Sequence, residues 1–280
     1  MGADELLARF EEHIVGLGMA PATIANYIAD LQNYAGWYQG SSAEYLSLLE
    51  ASARHIRRYC HSLRRQGRSA STINRRLQAV RKFYDFAVQE DLCSHNPARD
   101  VERVSDRASS SPRILDPGEV NQLLRAVGEG TDSLSRRDRA ILLALLDTGI
   151  RVRELVDLGM EDVDLEVGNG YLWVGEDLES GGRCLTLGPE ACAALRGYLR
   201  VRAAAPGVDA LFVSRQGQPL SARTVQRLVS NYARAAGLDG VSAQALRYTF
   251  AHDALEDRDL AEVARLLGLR DTAGVQRYLG

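Results

Sequence analysis

RHIRRYCHSLRRQGRSASTINRRLQAVRK, residues 54–82, carries two helical stripes and ten basic residues with no acid among them. Ile56, Tyr59, Cys60 and Leu63 recur at three- and four-residue steps. Beyond Gly67, Ile73, Leu77, Val80, Tyr84 and Val88 repeat the pattern. Such spacing lines one side of a helix with apolar groups. At about 100° per residue, Arg54, Arg58, His61 and Arg65 fall opposite the first stripe. Asn74, Arg75, Gln78 and Lys82 fall opposite the second. Two adjacent helices are expected, each with an apolar side inward and a basic face outward. Upstream, Ile24, Tyr27, Ile28, Leu31, Tyr34 and Trp37 predict a further helix, with Pro21 suited to its first turn.

A charged face is ordinarily only a solvated one, but solvated faces mix both signs. Net charge is -3, and the 34 basic residues less these ten leave 24 against 37 acidic ones in the rest of the chain. A concentrated positive segment in an acidic protein reads as a docking surface for a polyanion. Duplex DNA is the expected partner, held by Arg54, Arg58, Arg65, Asn74, Arg75, Gln78 and Lys82.

The remaining composition narrows the class. At 280 residues, with 45% hydrophobic and 25% charged, the chain suits two globular domains. The apolar run at residues 141–146 is far short of a membrane span, and the acidic start is unlike a secretion signal. A cytoplasmic location is therefore expected. Cys60, Cys93, Cys184 and Cys192 are widely spaced, without a CxxC pair or histidines at ligand spacing. Buried free thiols are expected, with no metal and no cofactor.

Asn96-Pro97 ends the first helical region, and residues 105–112 (SDRASSSP) read as an interdomain linker. The expected division is a helical DNA-binding domain at 1–104 and a second domain at 113–280. Helical patterning resumes at residues 119–127 and 137–146. Short β segments follow at 163–165, 171–174 and 183–187, separated by Gly/Asn and Gly/Ser turns. They predict a small three-stranded antiparallel sheet. From Glu190 the pattern is helical again, apart from Leu211-Phe212-Val213. The fold class is mainly α.

Three segments of the second domain carry chemistry. Thr148-Gly149-Ile150-Arg151-Val152-Arg153-Glu154-Leu155 breaks one helix at a glycine and starts another, a turn that can present an arginine to a phosphate. Ala245-Leu246-Arg247-Tyr248-Thr249-Phe250 supplies a second arginine. Leu266-Leu267-Gly268-Leu269 then leads to Val275-Gln276-Arg277-Tyr278. A tyrosine nucleophile, two arginines and a phosphate suffice for transesterification.

In this order the segments resemble the tyrosine recombinase, or phage integrase, family, and most closely its bacterial Xer-type members. Residues 69–97 (SASTINRRLQAVRKFYDFAVQEDLCSHNP) look like the end of the family's core-binding domain. Residues 148–155 look like its first arginine box, and 211–225 (LFVSRQGQPLSARTV) its pre-catalytic helix. Tyr278 follows Leu269 at the family's spacing from its last active-site histidine to the nucleophile. The resemblance implies a two-domain clamp around DNA, acting as a dimer to tetramer of itself or with a relative. It also implies that Arg151 and Arg247 hold the scissile phosphate while Tyr278 forms a 3′-phosphotyrosyl link and frees a 5′-hydroxyl, without metal or ATP. Glu154, by its place in the box, would support the first arginine.

The sequence departs from the family at its proton-transfer positions. Gln244 stands where the second box has its first histidine; Tyr248 is a tolerated variant. Leu269 stands at the later histidine or tryptophan position. Matching Arg183 to the arginine of the hairpin Lys-x-Arg puts Gly181 at the lysine, and Lys82 is the chain's only lysine. Arg183 is a possible support, though a poor proton donor. His252 is the second domain's only histidine, and its helical spacing predicts a partly buried residue. Family members usually continue past the tyrosine into a short helix, and this sequence ends at Gly280. Three readings follow: a slow site-specific recombinase, a non-catalytic DNA-binding paralogue acting as accessory or regulator, and a type IB topoisomerase-like nicking protein. The last ranks below the others because the hairpin lysine matters at least as much there.

Overall fold

The computed structural model describes residues 2–40, 47–105, 113–128, 132–165, 170–175 and 182–279, with the backbone alone at Arg277 and Leu279. Most of the expected linker, Gly181 and Gly280 lie outside the described residues. Contacts divide the chain into two compact units, Met1–Ser109 and Ser110–Gly280.

The first unit is helical. α1 (Ala3–Gly16), α2 (Pro21–Gly40), α3 (Ala53–Arg65) and α4 (Ala70–Gln89) surround one core, with a single 3-10 turn at Leu48–Glu50. The apolar stripes of α3 and α4 face inward: Ile56, Tyr59, Cys60, Leu63, Ile73, Leu77, Val80 and Tyr84 are all buried. In α2 the buried apolar set is Leu31, Tyr34, Ala35 and Tyr38, while Ile24, Tyr27, Ile28 and Trp37 are only half-buried against the core. α1 was not anticipated, although Leu6, Leu7, Phe10 and Ile14 follow the same period and are buried.

The second unit is built around α6 (Ser133–Thr148), whose Ile141, Leu142, Leu143, Ala144 and Leu145 are all buried. A helix apolar on every side must be covered on every side. It is packed by α8 (Pro189–Leu199) and α10 (Ala243–Asp257), and α5 (Pro117–Val127) and α9 (Ala222–Ala235) complete the layer. α7 (Val152–Asp157) leads into the expected sheet: β1 (Val163–Asp164), β2 (Gly170–Val174) and β3 (Arg183–Leu187), antiparallel in that order. Leu172, Val174, Leu185 and Leu187 point into the core and Trp173 points out, the alternation a half-buried sheet requires. α11 (Leu260–Leu266) and α12 (Ala273–Leu279) close the chain around a small apolar cluster containing Phe250, Val263, Leu267, Val275 and Tyr278.

The four cysteines are free; Cys60 and Cys192 are buried, but Cys93 and Cys184 are only half-buried, short of the expectation. Among the described residues, no helix is long and apolar enough to cross a membrane.

Candidate active site

The turn between α6 and α7 is set by a glycine. Gly149 caps α6 in the left-handed region at φ 58°, and a Cβ there would lie 2.3 Å from the Phe250 ring. Two residues on, Arg151 is the N-cap of α7. Glu154, at the third helical position, reaches back to its backbone N–H at 2.8 Å. Arg151 Nη1 donates to the other Glu154 oxygen at 2.7 Å. The arginine is thereby held at both ends by one carboxylate.

Glu154 has a second guanidinium partner. Arg183, at the start of β3, is 6% exposed and donates from Nη2 to Glu154 at 2.7 Å. Burial pushes the Glu154 carboxyl up, yet the hydrogen bonds from Arg183 and Arg151 together outweigh it and leave it below its ordinary value. Arg183 is thereby tied to Arg151 through Glu154.

The three arginines meet at the end of α11. Its final turn closes on Gly268 at φ 59°, with Leu269 N–H bonded to Ala264 and Gly268 N–H to Arg265. The next carbonyls project outward: Leu266 accepts from Arg183 Nε at 2.8 Å, Leu267 from Arg247 Nη2, and Gly268 from Arg151 Nη2 at 2.7 Å. Carbonyls left over at a helix C-terminus are negative dipole ends suited to cations. This row of acceptors was missed in the sequence; its only trace was the Leu266-Leu267-Gly268 motif.

Arg247 is 3% exposed and also donates from Nη1 to the Gly149 carbonyl. Burial, the largest influence, works against its charge, and the Tyr278 hydroxyl works for it. Its Nε donates to that hydroxyl at 3.0 Å, and the Tyr248 ring meets the Tyr278 ring edge-on at 4.9 Å. Leu269 packs against the apolar cluster that seats α12. Gln244 is exposed on the wall of a cavity of about 890 Å³ that Arg151, Arg153, Gln226 and Arg247 also line. His252 departs from expectation: its side chain is 48% exposed beside Asp253, because its position on α10 faces away from the core.

Thus the fold brings together Arg151, Glu154, Arg183, Arg247, Tyr248, Leu269 and Tyr278, with Gln244 on an adjoining wall. Two of the three guanidiniums share one carboxylate and the third is held by carbonyls, which leaves the cluster positive and suited to a phosphodiester. Among the described residues, neither cavity beside Arg151 is lined by lysine or histidine.

The basic segment is less uniform than its spacing predicts. Arg54, Arg58 and Arg65 are exposed on α3 with no partner among the described residues. The face on α4 is partly turned inward. Asn74 exchanges two hydrogen bonds with the Val104 backbone, at 2.8 and 2.9 Å, so its amide is committed to the fold. Arg75 is exposed but pairs with Asp30 of α2, and Gln78 and Lys82 are half-buried. Arg57 and Arg81 donate to backbone carbonyls of Ala98, Asp100 and Val101. A second basic face, on α9, was overlooked: Arg223, Gln226, Arg227, Asn231 and Arg234 are exposed over a buried Val225, Leu228 and Val229. Residues 214–237 hold four arginines and no acid, the same signal that singled out 54–82.

Residues 113–280 match the Phage integrase family, and residues 7–91 match the family's N-terminal SAM-like domain. A tyrosine recombinase XerC of Pseudomonas fluorescens is 33% identical over 93% of this chain and 85% of its own length. The XerC of Chromobacterium violaceum is 32% identical over 98% and 89%. Among solved structures, the Tn1549 transposon integrase in complex with a circular intermediate DNA superposes with a TM-score of 0.80 at 18% identity, covering 99% of this chain and 95% of that one. A lambda integrase dimer bound to a COC′ core site gives 0.79 at 17%, covering 100% and 96%.

Proposed function

The chain belongs to the phage integrase family of tyrosine recombinases, and from that premise we propose that it cuts and rejoins duplex DNA at specific sites through Tyr278. One contact carries the site assignment: the Tyr278 hydroxyl lies 3.0 Å from Nε of an arginine buried among carbonyl acceptors. A phosphate held by Arg247 and Arg151 would bring its phosphorus within attacking range of this hydroxyl. Tyr278 gives up its phenolic proton to solvent as its oxygen bonds to phosphorus. The bond from phosphorus to the 5′-oxygen breaks, and that oxygen takes a proton from solvent, leaving a 3′-phosphotyrosyl ester and a free 5′-hydroxyl. The ester conserves the bond energy, so rejoining reverses the step without metal or ATP. Arg151, Arg183 and Arg247 offset the transition-state charge, with Glu154 orienting two of them.

Residues 1–104 act as the core-binding domain and 113–280 as the catalytic domain, joined at 105–112. DNA contacts come from Arg54, Arg58, Arg65 and Arg75, with Gln78 and Lys82 at the margin and the α9 face in the catalytic domain. Asn74 drops from this set, since its amide holds Val104. The lambda integrase relative was solved as a dimer on its core site, and oligomers on DNA are proposed here too. The cytoplasm suits a DNA substrate and four free cysteines.

A binding-only protein is the second reading, favoured by Gln244, Leu269 and a catalytic unit without lysine. A nicked suicide duplex separates the two on a denaturing gel. The wild type forms a covalent band, and Tyr278→Phe binds DNA without forming it. Wild-type binding with no band establishes the second reading; a band persisting in Tyr278→Phe identifies another nucleophile.

A further inference from the structure

We infer that Asp30 is a positioning residue for DNA binding, holding Arg75 by one edge of its guanidinium so that the other edge meets a backbone phosphate. The inference rests on the reading of the α3–α4 surface as a DNA-binding face.

Residues 54–82 contain no acid, yet the fold brings one to them from α2. Asp30 is 4% exposed, too deep to meet DNA itself. Its two oxygens divide between neighbouring arginines. Oδ2 accepts from Arg75 Nη1 at 2.5 Å, and Oδ1 faces Arg76 Nε at 3.6 Å. Arg76 turns inward, its side chain 15% exposed, and donates from Nη1 to Asn33, which also accepts the Tyr59 hydroxyl at 2.8 Å. Arg75 turns outward, 52% exposed, with Nε and Nη2 lacking partners among the described residues. A guanidinium offers two donor edges, and this one has a single edge engaged.

By charge alone, a carboxylate beneath a DNA-binding face weakens binding. Its burial and its aim at Arg75 give it a different use. Fixing a rotamer-rich side chain before the phosphate arrives removes an ordering cost from association. Charge and positioning therefore predict opposite signs for the loss of Asp30.

Binding of the full chain to a fluorescein-labelled mixed-sequence duplex, read by anisotropy at several salt concentrations, distinguishes them. Asp30→Asn keeps the shape and removes the charge. It is expected to weaken binding by about threefold to tenfold, the worth of one pre-ordered side chain. In an Arg75→Ala background the same change should no longer weaken binding. Arg75→Lys keeps the charge at an exposed position but lacks the fork. It should reproduce the loss, keeping the test usable if Asp30→Asn unfolds through Arg76.

Tighter binding in Asp30→Asn overturns the inference, as does an equal loss with and without Arg75. Arg75→Lys at wild-type affinity overturns it as well. Arg58→Ala is the control for the underlying reading. If it weakens binding while Asp30 and Arg75 behave independently, the face binds DNA and only the inference fails. If the wild type shows no salt-dependent binding, both fail.

Discussion

Replacing Glu154 by glutamine removes the one negative charge between Arg151 and Arg183 while keeping the side chain's size. Three hydrogen bonds of 2.7 to 2.8 Å end on its two oxygens, two from guanidiniums and one from the Arg151 N–H. Glutamine retains one acceptor and turns the other into an N–H group facing a donor. Arg183, 6% exposed, then keeps only the Leu266 carbonyl among its acceptors. Breaking a deeply buried pair costs about 3–5 kcal/mol, and one charged hydrogen bond about 1.5–3. Glu154 is itself 20% exposed, so roughly 2–4 kcal/mol is expected here. For a unit of this size that lowers Tm by roughly 5–12 °C.

The loss should depend on pH in one direction. The Glu154 carboxyl lies below its ordinary value in the fold, so its contribution is fully present above the unfolded value, about 4.3. It fades as pH falls through the lower folded value, where both states hold the proton. The Tm gap between wild type and Glu154→Gln should be steady from neutral pH to about pH 5 and narrow below about 4. Thermal unfolding followed by circular dichroism across that range measures it. A gap below roughly 0.5 kcal/mol at neutral pH, or one that widens in acid, refutes the bridging role.

Two shorter expectations follow from the same cluster. In Gly268→Ala a Cβ would lie 2.8 Å from Arg183 Nη1 and 3.0 Å from Arg151 Nη1, at a φ of 59°. The variant should lose about 1–3 kcal/mol in thermal melts and form less covalent complex, whereas Gly237→Ala, at similar φ with open space, should lose stability alone. Gln244→His restores a proton-exchanging group on the cavity wall, and covalent-complex formation on a suicide duplex should rise by up to about 10²-fold. An unchanged rate in a variant that still binds DNA would mean that another step limits cleavage.

Much of this was legible because it is local. The stripes of α3 and α4, the three strands and the Gly149 turn are each written within a dozen residues, where period and turn chemistry act. What escaped was set by partners far along the chain. Asn74 lies opposite an apolar stripe as a solvent-facing residue should, yet Val104 takes both ends of its amide. Counting signs along 54–82 could not reveal that Asp30 answers two of its arginines. Arg183 heads a strand that reads as ordinary alternation, and its inward charge makes sense only beside Glu154. α1 was locally written and simply went unread.

The substitutions at the site divide by what each position must supply. A leucine at 269 offers a phosphate no hydrogen-bond donor, but it packs against the apolar cluster that seats α12. Packing is thus expected to keep the tyrosine aimed, with less help for the transferring charge. Gln244 can still donate to a phosphate oxygen, yet it cannot pass a proton at neutral pH. Loss of a general acid costs about 10²–10⁴ in rate and loss of one transition-state donor about 10²–10³, and the two do not simply multiply. Ground-state binding is expected to depend instead on Arg151 and the exposed arginines of α3 and α9. Affinity for DNA should therefore survive where turnover does not, and a long-lived complex with slow cleavage is the behaviour to expect of this distribution of residues.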